Sequence, residues 1–571
     1  MANLNTEAIK QHTFDAIVIG SGMSGGWAAK EFTEKGLNTL MLERGRDVKH
    51  LVDYPTTNMY PYEFAHRGQI PYDVQQANPV MNRCYIFHED AEHFCVKDAQ
   101  HPYVQEKPFD WIRGYQVGGK SLLWARQTQR WSDYDFEGPA RDGFAVDWPI
   151  RYKDIAPWYS YVEKFAGIAG NRDGLDNLPD GEFLPGFPLN VVEQYFSNFV
   201  AKNYPGRHVI SARCAHLSKP NQIHLDQGRA KCQNRVLCQR GCPFGGYFSA
   251  NSSTIPWALK TGKLTLRPFS VVQEIIYDDA KNKATGVRII DTNTKQVMEF
   301  YAKVIFVNAA AINTNLVLLN SKSKRFPNGL GNDSGVLGKY VAFHNYRARA
   351  WGEYDGEMEW TTDGRNPAGG GYLPRFRNVK KQETNFLRGY AAGFSAYRQM
   401  QTDENGVGES LKRNLMNPKL SGWKVGSHMM GETIPKETNT VSLDESKKDE
   451  WGVPQLKINI SYDDNDEKMI KDYQEQMTEM FTKAGFKNVN VMDSKQAPGL
   501  DIHEMGGCRM GNDPKTSMLN KWHQMHAVNN VFVTDGASMT STSTQNPSLT
   551  YMAFTARAVD YAVSEMKKGN I

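Results

Sequence analysis

The chain has 571 residues, too many for a single hydrophobic core, so two domains or one large elaborated domain are expected. Hydrophobic residues make up 40% and charged residues 23%, the ordinary range for globular chains, and a formal charge of +4 is too small for this size to point to nucleic acid. No apolar run approaches the roughly 18 residues that would span a bilayer, which excludes a transmembrane helix of its own.

The opening MANLNTEAIKQHT has neither a basic n-region nor an apolar h-region, so no secretory signal is read there. The seven cysteines, an odd number, argue against a disulfide framework and suit reduced thiols or metal ligation. Aromatic residues reach 11%, with 12 Trp and 26 Tyr, a content that suits stacking on sugars as well as bulky cores.

The first element is a short β-branched run, Ala16 to Ile19, which reads as a buried parallel strand. It breaks into Gly20-x-Gly22-x-x-Gly25, and a helix follows through Lys35, closed by Gly36. A second strand over 40–42 ends in Glu43. Each part has a mechanical role in a dinucleotide site. Gly20 allows a tight turn, Gly22 lets a pyrophosphate approach the backbone, and Gly25 lets helix and strand pack closely. The helix N-terminus presents free N–H groups and the positive end of a dipole to phosphate. Glu43, eighteen residues past Gly25, stands where a carboxylate would grip ribose hydroxyls. The motif alone does not choose between NAD and FAD.

From Arg44 to about Pro108 the chain is irregular and rich in Pro and Tyr, which is expected to wrap the surface or line a site. Next, Val117-Gly118-Gly119-Lys120-Ser121-Leu122-Leu123-Trp124 gives a Gly pair, a hydroxyl and an apolar run, another place for backbone to approach a flat ligand. Asp147-Trp148-Pro149-Ile150 is expected to cap a helix over 152–166 that carries Tyr159, Val162 and Phe165 on one face. A strand is expected over 263–276 and a second, buried, over 303–307. The latter runs into Asn308-Ala309-Ala310-Ala311-Ile312-Asn313-Thr314, a small-residue turn into a helix that reads as another βα nucleotide crossover.

From about His344 the texture changes. Strand-like pieces at 346–353, 389–395, 425–432 and 456–460 precede one long helix over 463–483, which reads as a separate α+β domain. Within it Trp351, Trp360, Tyr390, Trp423 and His428 are candidates to line a substrate pocket. The end returns to the first texture. His503-Glu504-Met505-Gly506-Gly507-Cys508-Arg509-Met510-Gly511 precedes a strand over 530–534, Asp535-Gly536, a Ser/Thr loop, Asn546-Pro547-Ser548-Leu549-Thr550 and a final helix to about Met566. Polar groups are thereby set at the C-terminal edge of a sheet, where ligands bind.

Taken together, the GxGxxG with Glu43, the Val117–Ser121 segment, the Asn308–Thr314 turn and the His503 and Asn546 motifs resemble, in order and spacing, the glucose–methanol–choline (GMC) oxidoreductases. The resemblance runs from Phe14 to the last helix. It implies an α/β flavin-binding Rossmann-type domain assembled from discontinuous segments, plus an α+β substrate domain with an antiparallel sheet. On that pattern residues 1–130 form the first part of the FAD-binding domain and 131–205 a connecting or substrate-domain segment. Residues 206–340 form the second part, 341–494 the substrate domain and 495–571 the third part.

The resemblance also implies non-covalent FAD. Gly20, Gly22, Gly25, Glu43, Gly118, Gly119, Ser121, Val272, Asp535, Gly536, Asn546 and Pro547 would contact it. It implies His503 as the base that takes the substrate hydroxyl proton while hydride goes to flavin, with Asn546 holding the same oxygen. A neutral imidazole, with an ordinary pKa near 6.5, suits that work; a satisfied loop histidine is the blander reading of His503. Two positions depart from relatives: Leu123 stands where a histidine bonds the flavin covalently in pyranose oxidase-type members, and Ala310 stands where a Gly is usual.

A narrower resemblance is carried by Cys232-x5-Cys238-x3-Cys242-Pro243, which looks like the bacterial sugar dehydrogenase branch, including glucose and glucoside 3-dehydrogenases. It implies a three-iron, four-sulfide cluster on these thiols, a small partner subunit and a cytochrome-type acceptor. The Cys-x3-Cys-Pro ending also matches the tail of the ferredoxin run. Zinc with Cys214 or His224 as fourth ligand, one disulfide, or three thiols packed as small apolar residues are the competing readings. The implied reaction is dehydrogenation of a secondary hydroxyl of a sugar or glycoside, glucoside C3 favoured. An O₂-using oxidase or a glucose, gluconate or polyol dehydrogenase is the alternative. The expected location is cytoplasmic, or periplasmic if a partner subunit carries the export signal.

Overall fold

The computed structural model describes residues 12–356, 370–398, 400–401, 406–417 and 419–571. Its first sheet grows from Thr13–Ile19, which pairs in parallel with Thr39–Leu42 on one side and with Val297–Val307 on the other. Leu264–Arg267 adds a further parallel strand beyond Thr39–Leu42. Val297–Val307 is long enough to serve two partners on one edge. Its first half pairs antiparallel with Lys283–Asp291, and its end pairs in parallel with Val531–Val533. Both faces of this sheet are covered, as parallel strands require. Ala16, Val18, Met41, Val304 and Phe306 pack beneath the helices Met23–Glu34 and Ser548–Lys568. Ile17, Ile19, Leu40, Leu42, Ile305 and Val307 face the opposite core, which includes the helix Tyr152–Ala166.

Two local expectations need correction. The 263–276 segment is not one strand. It breaks after Arg267, and Ser270–Asp278 turns back as an antiparallel meander with Lys283–Asp291. Pro268 lacks a ladder N–H, and Phe269 takes φ +55. The helix Tyr152–Ala166 has the expected span, but its N-cap is Arg151, whose N–H donates to the Asp154 carboxylate; Asp147 instead pairs with the Arg151 side chain at 2.7 Å.

The second sheet is antiparallel, in the order Lys487–Asp493, Ala348–Tyr354, Trp423–Glu432, Tyr390–Tyr397, Gly371–Leu373 and Ile210–Ser211. One face is sealed by Val191–Asn203 and by Asp464–Lys483. The latter helix buries Met469, Ile470, Tyr473, Met477, Met480 and Phe481, the i, i+4, i+7 stripe of a helix on a sheet. Strand alternation then decides which side chains can reach a ligand. Tyr390 and Trp423 belong to the helix-covered core, so they cannot line a pocket. Trp351 is 41% exposed and lies outside the cavity described below, and Trp360 lies outside the described residues. Of the four that are described, only His428 faces the cavity. The 456–460 piece, observed as Pro454–Asn459, belongs to a separate three-stranded sheet with Thr440–Lys448 and Val104–Gln105. Among the described residues no helix is long and apolar enough to cross a membrane.

Candidate active site

A cavity of about 540 Å³ lies between the two sheets, and the segments expected to carry chemistry converge on it. Gly20, Gly22, Glu43, Gly119, Ser121, Val272, His503, Asp535, Gly536, Asn546 and Pro547 all line it; Gly25 and Gly118 do not.

At one end the strand Thr13–Ile19 turns at Gly20, with φ +96, into the helix that starts at Met23. A Cβ on Gly20 would stand 2.3 Å from the Asn308 carbonyl oxygen, and one on Gly25 would stand 1.9 Å from the Gly20 carbonyl oxygen. Nothing lies within 4 Å of a Cβ on Gly22, so the helix N-terminus is open on the side where phosphate would sit. Gly118, at φ +88, is required by the side chain of Asn251 behind it. Glu43 is buried and accepts from the Ser21 and Gly45 N–H groups at 3.3 and 2.9 Å; burial pushes its carboxyl up despite these donors. Ser121 holds the loop together, donating to the Gly118 carbonyl and accepting from the Ala250 N–H.

Asp535 caps the turn after Val531–Val533, accepting from Ala537 N–H at 3.0 Å and from the Thr314 hydroxyl at 2.6 Å. Burial raises its pKa to about 6. Ala310 stands at φ +72, ψ 147, a conformation nearly reserved for glycine, which accounts for the Gly usual at this turn.

At the other end His503 Nε2 lies 3.2 Å from Asn546 Nδ2, and His503 Nδ1 lies 2.9 Å from Nδ1 of His344. Burial holds the His503 pKa well below the usual range for histidine, and the neighbouring His344 and Lys120 add to the effect. Lys120 itself pairs with Glu504 at 3.3 Å. Among the described residues only His344, Asp501 and His503 bring three metal-ligand atoms within 4.8 Å of one another. Here, however, the rings bond each other and Asp501 bonds the two backbones, so the donor atoms are already engaged.

Sequence reasoning missed several lining groups: Tyr85, Arg126, Tyr346, Tyr372 and Tyr551. Arg126 and Tyr551 lie just past the ends of the motif segments, at Trp124 and Thr550; Tyr85 was hidden in the irregular stretch. Asn308 Nδ2, Glu504 Oε1, Tyr551 Oη, Tyr372 Oη and two Arg126 nitrogens are buried with no partner in the protein. Buried polar atoms are rarely left orphaned, so this wall fits a large ligand that carries many hydrogen-bonding groups. The Gly-lined turn, open helix end, buried acid and orphaned polar wall together fit FAD.

Cys232, Cys238 and Cys242 line a second, small cavity with His216 and Tyr247, while Gln239, between the last two thiols, reaches the large cavity. Cys238 Sγ lies 3.8 Å from His216 Nε2. All seven cysteines are free of disulfides. Of the two expected fourth zinc ligands, His224 has both nitrogens engaged by backbone, and Cys214 is fully buried in a small core against which Cys232 packs, but it forms no set of three metal-ligand atoms within 4.8 Å of one another with the other thiols.

Residues 14–344 and 435–555 match the two family models described as GMC oxidoreductase. The chain is 29% identical to a 2-methyl-1,2-propanediol dehydrogenase of Mycolicibacterium austroafricanum, over 96% of this chain and 94% of the relative. It is 25% identical to a fructose dehydrogenase large subunit of Gluconobacter japonicus, over 97% and 98%. Among solved structures, pyridoxine 4-oxidase from Mesorbium loti shares the fold at TM-score 0.58 and 14% identity, over 96% of this chain and 99% of that one.

Proposed function

The chain belongs to the GMC oxidoreductase family and is an FAD-dependent oxidoreductase acting on CH–OH donors; within that class, we propose that it dehydrogenates a secondary hydroxyl of a sugar or glycoside, glucoside C3 favoured, and passes the electrons to a carrier protein. The observation that carries this reading is the company His503 and Asn546 keep in one cavity. Tyr372, His428 and Met430 of the second sheet, with Arg126, Gln127 and Tyr346, line the same cavity. Several ring, amide and guanidinium groups suit a polyhydroxylated substrate better than a simple alkanol.

Gly20, Gly22, the helix end at Met23, Glu43, Gly119, Ser121, Val272, Asp535 and Gly536 would hold the cofactor, with Gly25 and Gly118 shaping the loops behind them. Bound there, FAD supplies the hydride acceptor. His503 Nε2 takes the hydroxyl proton, and the Asn546 amide orients the same oxygen. Burial keeps His503 neutral, so its lone pair is available. Residues 1–130, 206–340 and 495–571 would form the cofactor-binding part and 341–494 the substrate part, except that Ile210–Ser211 pairs in the second sheet. The connecting 131–205 serves both, since Tyr152–Ala166 packs in the first core and Val191–Asn203 in the second.

Anaerobic flavin reduction against a panel of free sugars, glycosides and polyols, with product regiochemistry by NMR, tests the substrate. A polyol or simple diol reacting faster than every sugar would overturn the assignment. The oxidase reading is tested by peroxide formation in air.

The electron route we propose runs through a three-iron, four-sulfide cluster on Cys232, Cys238 and Cys242, with a cytochrome-type acceptor and a small subunit as partners. Its support is the convergence of three thiols on one small cavity whose loop also touches the large one. A single tetrahedral zinc, with Zn–S near 2.3 Å, would hold its sulfurs about 3.8 Å apart; these three do not all fall within 4.8 Å. Iron and sulfide analysis with EPR of anaerobically purified protein decides it. An active, flavin-loaded sample without iron would remove the cluster and favour the oxidase.

A further inference from the structure

His344 is wholly buried and does not line the cavity, yet its Nδ1 sits 2.9 Å from Nδ1 of His503, the rings nearly perpendicular at 81°. The juxtaposition is built by the backbone. Lys339–Ala342 runs antiparallel to Met505–Gly507, with Lys339 opposite Gly507 but Ala342 opposite Met505. One extra residue is therefore accommodated on the first strand, a β-bulge, and Tyr340 within it takes φ +59. Gly506 opposite, at φ +90, leaves room for it: a Cβ there would stand 2.4 Å from the Tyr340 carbonyl oxygen. Carried two residues past Ala342 and Met505, this register sets His344 opposite His503. Without the bulge, Phe343 would stand there, and the imidazole would point to the other face. Asp501 then pins both strands, its Oδ2 accepting from the His344 N–H at 2.9 Å and the His503 N–H at 3.3 Å.

Two neutral imidazoles meeting Nδ1 to Nδ1 share one proton, so the tautomers of the two rings are coupled. His503 Nε2 lies 3.2 Å from Asn546 Nδ2 and faces the cavity; an amide nitrogen can only donate, so His503 Nε2 is a lone pair and the His503 proton is on Nδ1. His344 Nδ1 must then accept from His503 Nδ1, which puts the proton of His344 on its Nε2, a buried nitrogen with no hydrogen-bond partner in the protein.

We infer that His344 is a positioning residue that fixes His503 in the one tautomer whose Nε2 can accept a proton from a hydroxyl, and that it stabilises the imidazolium formed when it does. Burial, with Arg375 nearby, lowers the pKa of His344 to about 3, so His344 is neutral and offers His503 a lone pair. The charged groups next to the pair are Lys120, itself paired with Glu504, beside His503, and Arg375 beside His344, while Asp501 bonds the two backbones.

The inference rests on His503 being the base. It is tested by anaerobic stopped-flow flavin reduction in His344→Phe, which removes the acceptor at similar bulk, and in His344→Asn, whose Oδ1 can stand near the Nδ1 position. A hydrogen bond to a charged partner is worth roughly ten- to a hundredfold in rate. His344→Phe is expected to lose that factor in the limiting rate of reduction with FAD content and substrate Kd unchanged, and His344→Asn to recover most of it. A structural role alone would raise Kd or lower flavin content and would not be rescued by Asn. Should the variants fold poorly, ¹⁵N-histidine NMR of the wild-type holoenzyme, with His503 assigned from His503→Asn, reads the tautomer directly; Nδ1 must carry the proton. Flavin-loaded His344→Phe at wild-type rate, or a His503 protonated on Nε2, overturns the inference. If His503→Ala also reduces its flavin normally, the base assignment itself has failed.

Discussion

Acidification separates a buried catalytic imidazole from an ordinary one. An unperturbed histidine, with pKa near 6.5, is roughly nine-tenths neutral at pH 7.5 and roughly one-tenth neutral at pH 5.5, so a rate that needs its lone pair would fall about tenfold across that span. His503 is different. Burial disfavours its charged form, and positive charge on the adjoining His344 ring or on Lys120 disfavours it further, so its pKa lies well below 6.5. Because the shift is downward, the base-competent form persists to lower pH, and the limiting rate of flavin reduction should stay nearly flat down to pH 5.5. One nearby group does titrate in the window: burial lifts Asp501 to about 7, and it pins the backbones of both histidines. Any shallow loss between pH 7 and 6 should therefore vanish in Asp501→Asn. The assay is anaerobic stopped-flow reduction of bound flavin at saturating substrate, from pH 5 to 8. A tenfold fall with a midpoint near 6.5 in both wild type and Asp501→Asn would refute the buried-base reasoning.

His503→Ala should slow flavin reduction by on the order of 10²–10⁴-fold with FAD still bound, whereas Asn546→Ala, which loses one neutral hydrogen bond, should cost about two- to twelvefold; both are read in the same assay. The flavin should be dissociable, because Leu123 lines the cavity where a bonding histidine stands in some relatives. Acid precipitation should leave the yellow colour in the supernatant, and a yellow pellet would contradict it. Ala310→Gly relieves a strain of about 1–3 kcal/mol at φ +72, ψ 147 and gives back about 0.5–1 kcal/mol in chain entropy. A net stabilisation of about 1 kcal/mol in urea unfolding is expected, and a loss would mean the conformation is not strained.

What could be read in the sequence is what short-range chemistry dictates. Gly20 and Gly25 are fixed by backbone that comes within 2.3 and 1.9 Å of where a side chain would begin, so no other residue fits and the motif is visible. The stripe from Met469 to Phe481 is equally local, since the helix period alone names the buried face. The errors arise where a distant partner decides. Tyr390 and Trp423 look like sugar-stacking rings, but Asp464–Lys483 covers their face of the sheet, and no feature of their own strands records which side the helix takes. The break at Pro268 was signalled by its missing N–H, but apolar alternation on both sides concealed it.

His344 is the clearest case. It lies 159 residues from His503 and in no motif, and its place depends on a single added residue at Tyr340. The side-chain period of a strand is two, so a register offset of one moves every following side chain to the opposite face. Apolar pattern shows that a strand exists; it does not show the count of residues between its bulge and its partner. The glycines at 506 and 507, both with positive φ, were the trace of that bulge in the sequence. They read as part of a catalytic signature because they follow His503 directly, although Gly506 does its work on the opposite strand.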